Sequence, residues 1–417
     1  MVDRVKTNIF LALIVIFPLV DTFNGMFITY GYNIPLGTIY RVCLILYIVY
    51  GILSSKIGKM KQSMLLLILP FLLMIICIIQ SFFFNTSFSL LVKEISYVVR
   101  FSLCLLIPIF AKQFEGHFSI KKLIIITLLI DLFLIGGLVI PYALGIGNST
   151  YDGTAGFKGF YYATNDITYA FLIMVFFIGW FLSHQAKNIL LEYSLLVLYF
   201  LNMYCLVLLG TKSGLLTGAV YSCYLIFYFL RYYRSKTLYG QFFIFEFLLT
   251  MLFLFFLKGK EILMESLSSV IARFTYFKVL YQDDWTRLLL SSRNVYLKDA
   301  ITQYLQDPNN HYTFFFGSGF ENRRNWYGKK GGLIEMDFFD MFFSYGIIGT
   351  VILLIVIFYY FQLSNYKFTN KFCLFLLFFT IIYSFFVGHV FFSALSATVL
   401  GFVGLFTQII KKNRSFW

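Results

Sequence analysis

Charge is what this sequence has least of. Only 12% of its 417 residues are Asp, Glu, Lys or Arg, against roughly 25% in a soluble domain, and 60% are hydrophobic. That scarcity excludes an ordinary water-covered globule. No Gly-x-x-x-x-Gly-Lys-Ser/Thr loop is present, which excludes the usual nucleotide cradle. The net charge is +14, yet no stripe of Lys and Arg interleaved with aromatics offers itself to a nucleic acid. The six cysteines, Cys43, Cys77, Cys104, Cys205, Cys223 and Cys373, lie inside apolar blocks without paired spacing. They read as small core residues, not disulfides or metal ligands, and neither a metal nor another cofactor is expected. No small-residue cleavage site follows the first apolar block, which reads as a retained span. No long internal repeat is visible.

What is there in abundance is apolar runs long enough to cross a bilayer core of roughly 30 Å as helices. In lipid the backbone must satisfy its own hydrogen bonds, which selects helices over open sheets. The expected spans are 8–28, 36–53, 64–84, 88–110, 120–144, 161–183, 189–209, 213–230, 240–257, 338–361, 371–387 and 390–410. The last two are separated by a tight turn at Gly388-His389. The fold class is therefore an all-α polytopic membrane protein of about twelve transmembrane helices. It divides into spans one to nine (1–257), a large extracytoplasmic loop of short helices (258–337), and spans ten to twelve with a tail (338–417).

Basic residues assign the sides. Those at 4–6, 56–61, 112–122, 187, 231–236, 367–371 and 411–414 fall on one side, while the short connections opposite offer only Lys158 and Lys212. The positive-inside rule then puts both termini in the cytoplasm, and it exempts the long translocated loop. Within that loop, segments 261–280 and 286–306 have amphipathic spacing: Leu263, Leu267, Val270, Ile271 and Phe274 in the first, Leu297, Ile301, Tyr304 and Leu305 in the second.

A few polar residues stand where lipid should exclude them, and such residues usually face a bundle interior and mark function. Arg41 lies near the outer end of span two. Lys93, Glu94 and Arg100 lie in span four, with Lys93 and Arg100 on one helix face about two turns apart. Lys212 occupies a tight outer turn. Asn165 and Asp166 open span six, and Glu335, Asp337 and Asp340 open span ten. Arg293 is in the large loop. A basic cluster in a low-dielectric cleft holds a polyanion such as pyrophosphate. The bland alternative is that Lys93 and Arg41 snorkel to the interface and that the acids of span ten merely favour a helix start.

Four stretches resemble the superfamily of bacterial O-antigen polymerases (Wzy type) and O-antigen ligases. Ala163-Thr164-Asn165-Asp166 opens span six. Leu208-Leu209-Gly210-Thr211-Lys212-Ser213-Gly214-Leu215-Leu216 forms a small-residue turn before a helix. Ser292-Arg293 opens an amphipathic segment. Gly317-Ser318-Gly319-Phe320, Glu335-Met336-Asp337-Phe338-Phe339-Asp340 and Tyr345-Gly346-Ile347-Ile348-Gly349 resemble the loop's end and the next span. The span count and the late outer loop match as well. Two departures stand out: Lys212 replaces the family's frequent Arg, and a ligase-like His before span ten is absent.

The resemblance implies a GT-C-like glycosyltransferase using a polyprenyl-pyrophosphate-linked oligosaccharide, without metal or nucleotide sugar. It implies a location in the bacterial cytoplasmic membrane and partners in membrane lipid, a flippase and chain-length regulator proteins. Arg293, Arg100 and Lys212 would hold pyrophosphate, supported by Lys93 and Arg41. Glu335 or Asp337 would be the base, with His311 and His389 as alternatives, and Asn165 and Asp166 would orient sugar hydroxyls. The absent histidine favours repeat-unit polymerisation over ligation of a finished glycan; a flippase or other transporter is the reading from a different class. The topology is directly testable. A reporter fused after Trp417 should report the cytoplasm and one inserted near Asp284 the exterior; the reverse pattern would refute the orientation.

Overall fold

A computed structural model describes residues 2–32, 34–54, 60–150, 156–184, 189–233, 264, 268, 284, 286–287, 290–331, 333–364 and 371–412. The helices are α1 (Val2–Thr29), α2 (Leu36–Leu53), α3 (Met60–Phe83), α4 (Phe88–Gln113), α5 (Ile120–Ala143), α6 (Thr164–His184), α7 (Ile189–Leu209), α8 (Lys212–Tyr233), α9 (Arg293–Gln306), α10 (Asn310–Phe316), α11 (Phe320–Gly331), α12 (Asp337–Ser364), α13 (Lys371–Phe386) and α14 (Ala394–Lys412). The only sheet among the described residues is a two-stranded antiparallel hairpin, β1 (Asn148–Ser149) with β2 (Phe157–Gly159). The protein is an all-α polytopic membrane protein. α1, α2, α3, α5, α6, α7, α8 and α12 are long and apolar enough to cross a bilayer, and α13 and α14 are shorter apolar helices. α4 has 26 residues, also enough to span. The expected ninth span, 240–257, and almost all of the segment 261–280 lie outside the described residues. The amphipathic segment expected over 286–306 is helical from Arg293 onward, after a turn at 290–292.

The chain forms two compact units. One comprises Met1–Phe17, Pro35–Ile126 and Lys278–Trp417; the other comprises Pro18–Ile34 and Thr127–Phe277. At the centre of the first is α4, against which α2, α3 and α14 pack. Every residue from Phe101 to Ala111 is buried. Small residues allow the approach of α14: a Cβ on Gly401 would lie 2.7 Å from Ile107, and one on Gly404 3.0 Å from Pro108. Close backbone contact at small residues is the usual basis of helix association in lipid. In the second unit α6 is the central helix, buried without interruption from Asp166 to Leu182, with α7 and α8 packed on it.

α12 is broken at Gly346, whose φ 66°, ψ −163° is non-helical. The break frees carbonyls in apolar surroundings, where an unpaired backbone group is costly. They are met from two directions. Ser318 N donates to Phe343 O at 3.0 Å and Gly319 N to Ser344 O at 2.9 Å. Gln80 of α3 donates its Nε2 to Ser344 O at 2.7 Å, and also to Phe316 O. Gly317 (φ 72°, ψ −174°) sits in the same glycine-only region. A Cβ there would lie 2.3 Å from Ser344 C, and one on Gly346 2.3 Å from Phe315 O. The α10–α11 corner is thus interlocked with the break in α12. Gly317→Ala and Gly346→Ala should each lower stability by at least about 1–3 kcal/mol, read as an earlier thermal transition of the purified protein in lipid. An unchanged midpoint for both would contradict the interlock.

Candidate functional site

The site is built from three polypeptide stretches of the first unit that meet at the start of α12. The first is the N-terminus of α9. Leu297, Ala300 and Tyr304 pack this helix against Ile334, Met336, Phe339, Phe342 and Phe343, and that packing delivers Arg293, its first residue. Arg293 is buried. Its Nη2 donates to Glu335 Oε2 at 2.9 Å and its Nε to the Glu335 carbonyl at 3.0 Å. The second stretch is the 333–336 loop, which carries Glu335. The third is the turn between α13 and α14, which brings His389 Nε2 to 3.9 Å from Glu335 Oε1, an ion-pair distance. One carboxylate therefore has an arginine at one oxygen and a histidine at the other.

Two aspartates of α12 hold the two loops. Asp337 Oδ1 accepts from His389 N at 2.8 Å; its Oδ2 accepts from Val390 N at 2.8 Å, Phe391 N at 3.3 Å and Ser384 Oγ at 2.9 Å. Asp340 accepts from Ile334 N at 2.9 Å and Met336 N at 3.1 Å, the neighbours of Glu335 on either side. The backbone around the site is unusual. Ser291, Ser292, Glu335 and His389 all have positive φ, at 52°, 67°, 62° and 62°, a region side chains larger than Gly avoid. Gly388 closes the fit, since a Cβ there would lie 2.3 Å from the Glu335 carbonyl oxygen. Such conformations gather where the surrounding structure over-determines them, often at functional sites.

The charges are tuned accordingly. Burial by itself pushes the Glu335 carboxyl up, but the neighbouring His389, when protonated, and the hydrogen-bonded Arg293 guanidinium outweigh it and hold the group at about 2, below its ordinary 4.5. A carboxylate this weakly basic is a poor proton acceptor at neutral pH and a good counter-ion. Asp337 is buried with both oxygens filled, so it acts on the backbone around His389.

Other expected site residues lie elsewhere. On α4 Lys93 is exposed. Arg100 places its guanidinium 5.1 Å from the Tyr97 ring centre, and the Tyr97 hydroxyl joins Glu321 Oε1 at 3.0 Å and Arg324 Nη1 at 3.1 Å. Glu94 caps α11, accepting from Phe320 N at 2.8 Å and Glu321 N at 2.9 Å. Arg41 does not snorkel: it is 1% exposed, and donates to Gly37 O at 2.9 Å and Ala394 O at 3.3 Å. Lys212, Asn165 and Asp166 belong to the second unit, where Lys212 is exposed at the start of α8 and Asp166 is buried in the first turn of α6. There Thr168 and Thr211 join the two helix starts through their hydroxyls at 3.1 Å. His311 is exposed on α10; the histidine at the carboxylates is His389. Its one sequence signal was the tight Gly388-His389 turn between the last two expected spans. Arg323, buried beside Asp340, had none, because nothing in the sequence separates it from Arg324.

Residues 275–404 match the family of O-antigen ligase like membrane proteins. The match is consistent with the O-antigen ligase/polymerase superfamily, and it covers every residue of the Arg293–Glu335–His389 cluster. None of the curated proteins matches the chain.

A folded-state value below the unfolded one means that the Glu335 interactions stabilise fully above pH 4.5 and are lost as the pH falls through about 2. The difference in unfolding temperature between the protein and its Glu335→Gln variant should hence shrink as the pH falls from about 4.5 toward 2. A difference that already disappears near neutrality would contradict this assignment.

Proposed function

We propose that this protein transfers a glycan from a polyprenyl-pyrophosphate carrier to an acceptor sugar hydroxyl on the outer face of a bacterial cytoplasmic membrane, joining repeat units of a surface polysaccharide. The observation that carries the reading is the pairing of Arg293 and His389 on the two oxygens of Glu335. Glycan transfer needs a cation on the departing pyrophosphate and a base at the acceptor hydroxyl. Arginine suits the first because its planar fork matches phosphate oxygens; Nη1 of Arg293 makes no bond among the described residues. His389 suits the second, and Glu335 beside it stabilises the imidazolium that forms. The acceptor oxygen attacks the anomeric carbon while its proton passes to His389. The bond from that carbon to the pyrophosphate oxygen breaks, and the electron pair leaves with the pyrophosphate. Arg100, with Lys93 and Arg41 in support, is the further proposed cation of the first unit. Lys212 as a phosphate contact, and Asn165 and Asp166 as sugar contacts, are proposed from the resemblance. A flippase delivering the carrier-linked unit and chain-length regulator proteins are the proposed partners.

Ligation of a finished glycan is the second reading. The absence of a histidine just before span ten argued against it, but His389 reaches the same carboxylate from the far end of α13, so a histidine is present after all. Cells lacking the protein separate the readings. Single repeat units on lipid or surface support polymerisation, long polymer accumulating on the carrier supports ligation, and units trapped inside would point to transport. For either transfer reaction, Arg293→Ala and His389→Ala should each cut product by about 100-fold at normal protein level. Normal long product from both would remove them from the chemistry.

A further inference from the structure

Arg323 has no part in the chemistry above, yet it is buried on α11, with 4% of its surface exposed. Its Nη1 donates to Ser344 Oγ at 3.2 Å and stands 3.5 Å from Asp340 Oδ1. Its guanidinium lies 5.3 Å from the centre of the Phe343 ring. Its Nη2 is buried without a hydrogen-bond partner. A buried guanidinium left half-satisfied opposes stability, so its presence asks what else it does. The group it faces is Asp340, equally buried. Asp340 accepts from Ile334 N on one oxygen and Met336 N on the other, an arrangement that an ionised carboxylate, acceptor-only at both oxygens, serves best. Removing two charges from water is unfavourable unless they face each other, and Arg323 supplies that partner.

The two backbone N–H groups so held flank Glu335, whose left-handed backbone is unfavourable by itself. We infer that Arg323 and Asp340 are a positioning pair for the proposed glycan transfer: Arg323 keeps Asp340 ionised and aimed, and Asp340 pins the chain on both sides of Glu335, setting its carboxylate between Arg293 and His389. Neither residue touches substrate. The inference rests on the assignment of Glu335 and His389 made above.

The test compares full-length protein in lipid vesicles, supplied with carrier-linked repeat units extracted from the producing cells, across pH. The charged groups around His389 are Glu335 from the 333–336 loop, Asp337 and Asp340 from α12, and Arg293 across Glu335. Glu335→Gln should move the acidic limb of the kcat profile to lower pH by about one unit, because a carboxylate no longer favours the imidazolium. Arg323→Met should move the limb the same way, lower kcat by about 10- to 100-fold, and leave KM for the carrier-linked unit within about twofold. Arg323→Lys, which retains a charge for Asp340, should restore most of the rate and the limb. If Arg323→Met does not fold, Asp340→Asn carries the same expectation. A loss of rate with the limb unmoved, or an unchanged rate, would overturn the positioning role while leaving Glu335 and His389 in place. A limb unmoved in Glu335→Gln itself would remove the Glu335–His389 assignment and the inference together.

Discussion

Two carboxylates at the opening of α12 take up backbone N–H groups, and the arrangement of the site follows from this. Asp337 and Asp340 are three residues apart, on one side of a helix, and each faces a different loop. Asp337 gathers the N–H groups of 389–391 and Asp340 those of 334 and 336. Each side of the exchange solves the other's problem. A buried carboxylate needs donors, and a loop folded into apolar surroundings has donors that need acceptors. Once both loops are clipped to the same helical turn, Glu335 and His389 are brought face to face.

The same solution recurs across the first unit. Gln80 of α3 fastens the break in α12, Glu94 of α4 caps α11, and Arg41 of α2 reaches the first residue of α14. A polar side chain inside a span is usually taken as a mark of function. Here several of them serve irregular backbone, which lipid tolerates only where it is enclosed by protein and its polar groups are met. Short helices α10 and α11 can therefore rest on the spans with their corner interlocked, and α9 can present Arg293 from a fixed position.

This has a consequence for the division of labour among charges. Arg293 binds both the side chain and the carbonyl of Glu335, so the guanidinium is held in one orientation. Glu335 stays ionised across the useful pH range because His389 and Arg293 favour its charge. Of the acidic residues near the site, one serves as counter-ion and two serve as clips.

Hydropathy alone sufficed for the membrane class and placed helices at eleven of the expected spans, eight of them long and apolar enough to cross a bilayer; the ninth expected span, at 240–257, is outside the described residues. Burial of long apolar runs is a local, additive preference, so composition in a window reveals it. The amphipathic spacing of Leu297, Ile301, Tyr304 and Leu305 likewise marked a helix at α9, although its packed face is Leu297, Ala300 and Tyr304 while Ile301 and Leu305 are exposed; Arg293 stood out through the resemblance and Glu335 as an acid at the start of span ten. Which charges meet was another matter. His389 reaches Glu335 only because α13 returns the chain to the start of α12. Arg323 and Arg324 are identical neighbours in sequence, but successive helix positions point about 100° apart, so one is buried against Asp340 and the other joins Glu321 near the surface. Glu94 and Asp337 look like acids available for chemistry until the helix and loop whose N–H groups they hold are in place. Pairings of this kind depend on how distant segments pack, and no periodicity or transfer energy along the chain encodes them one residue at a time.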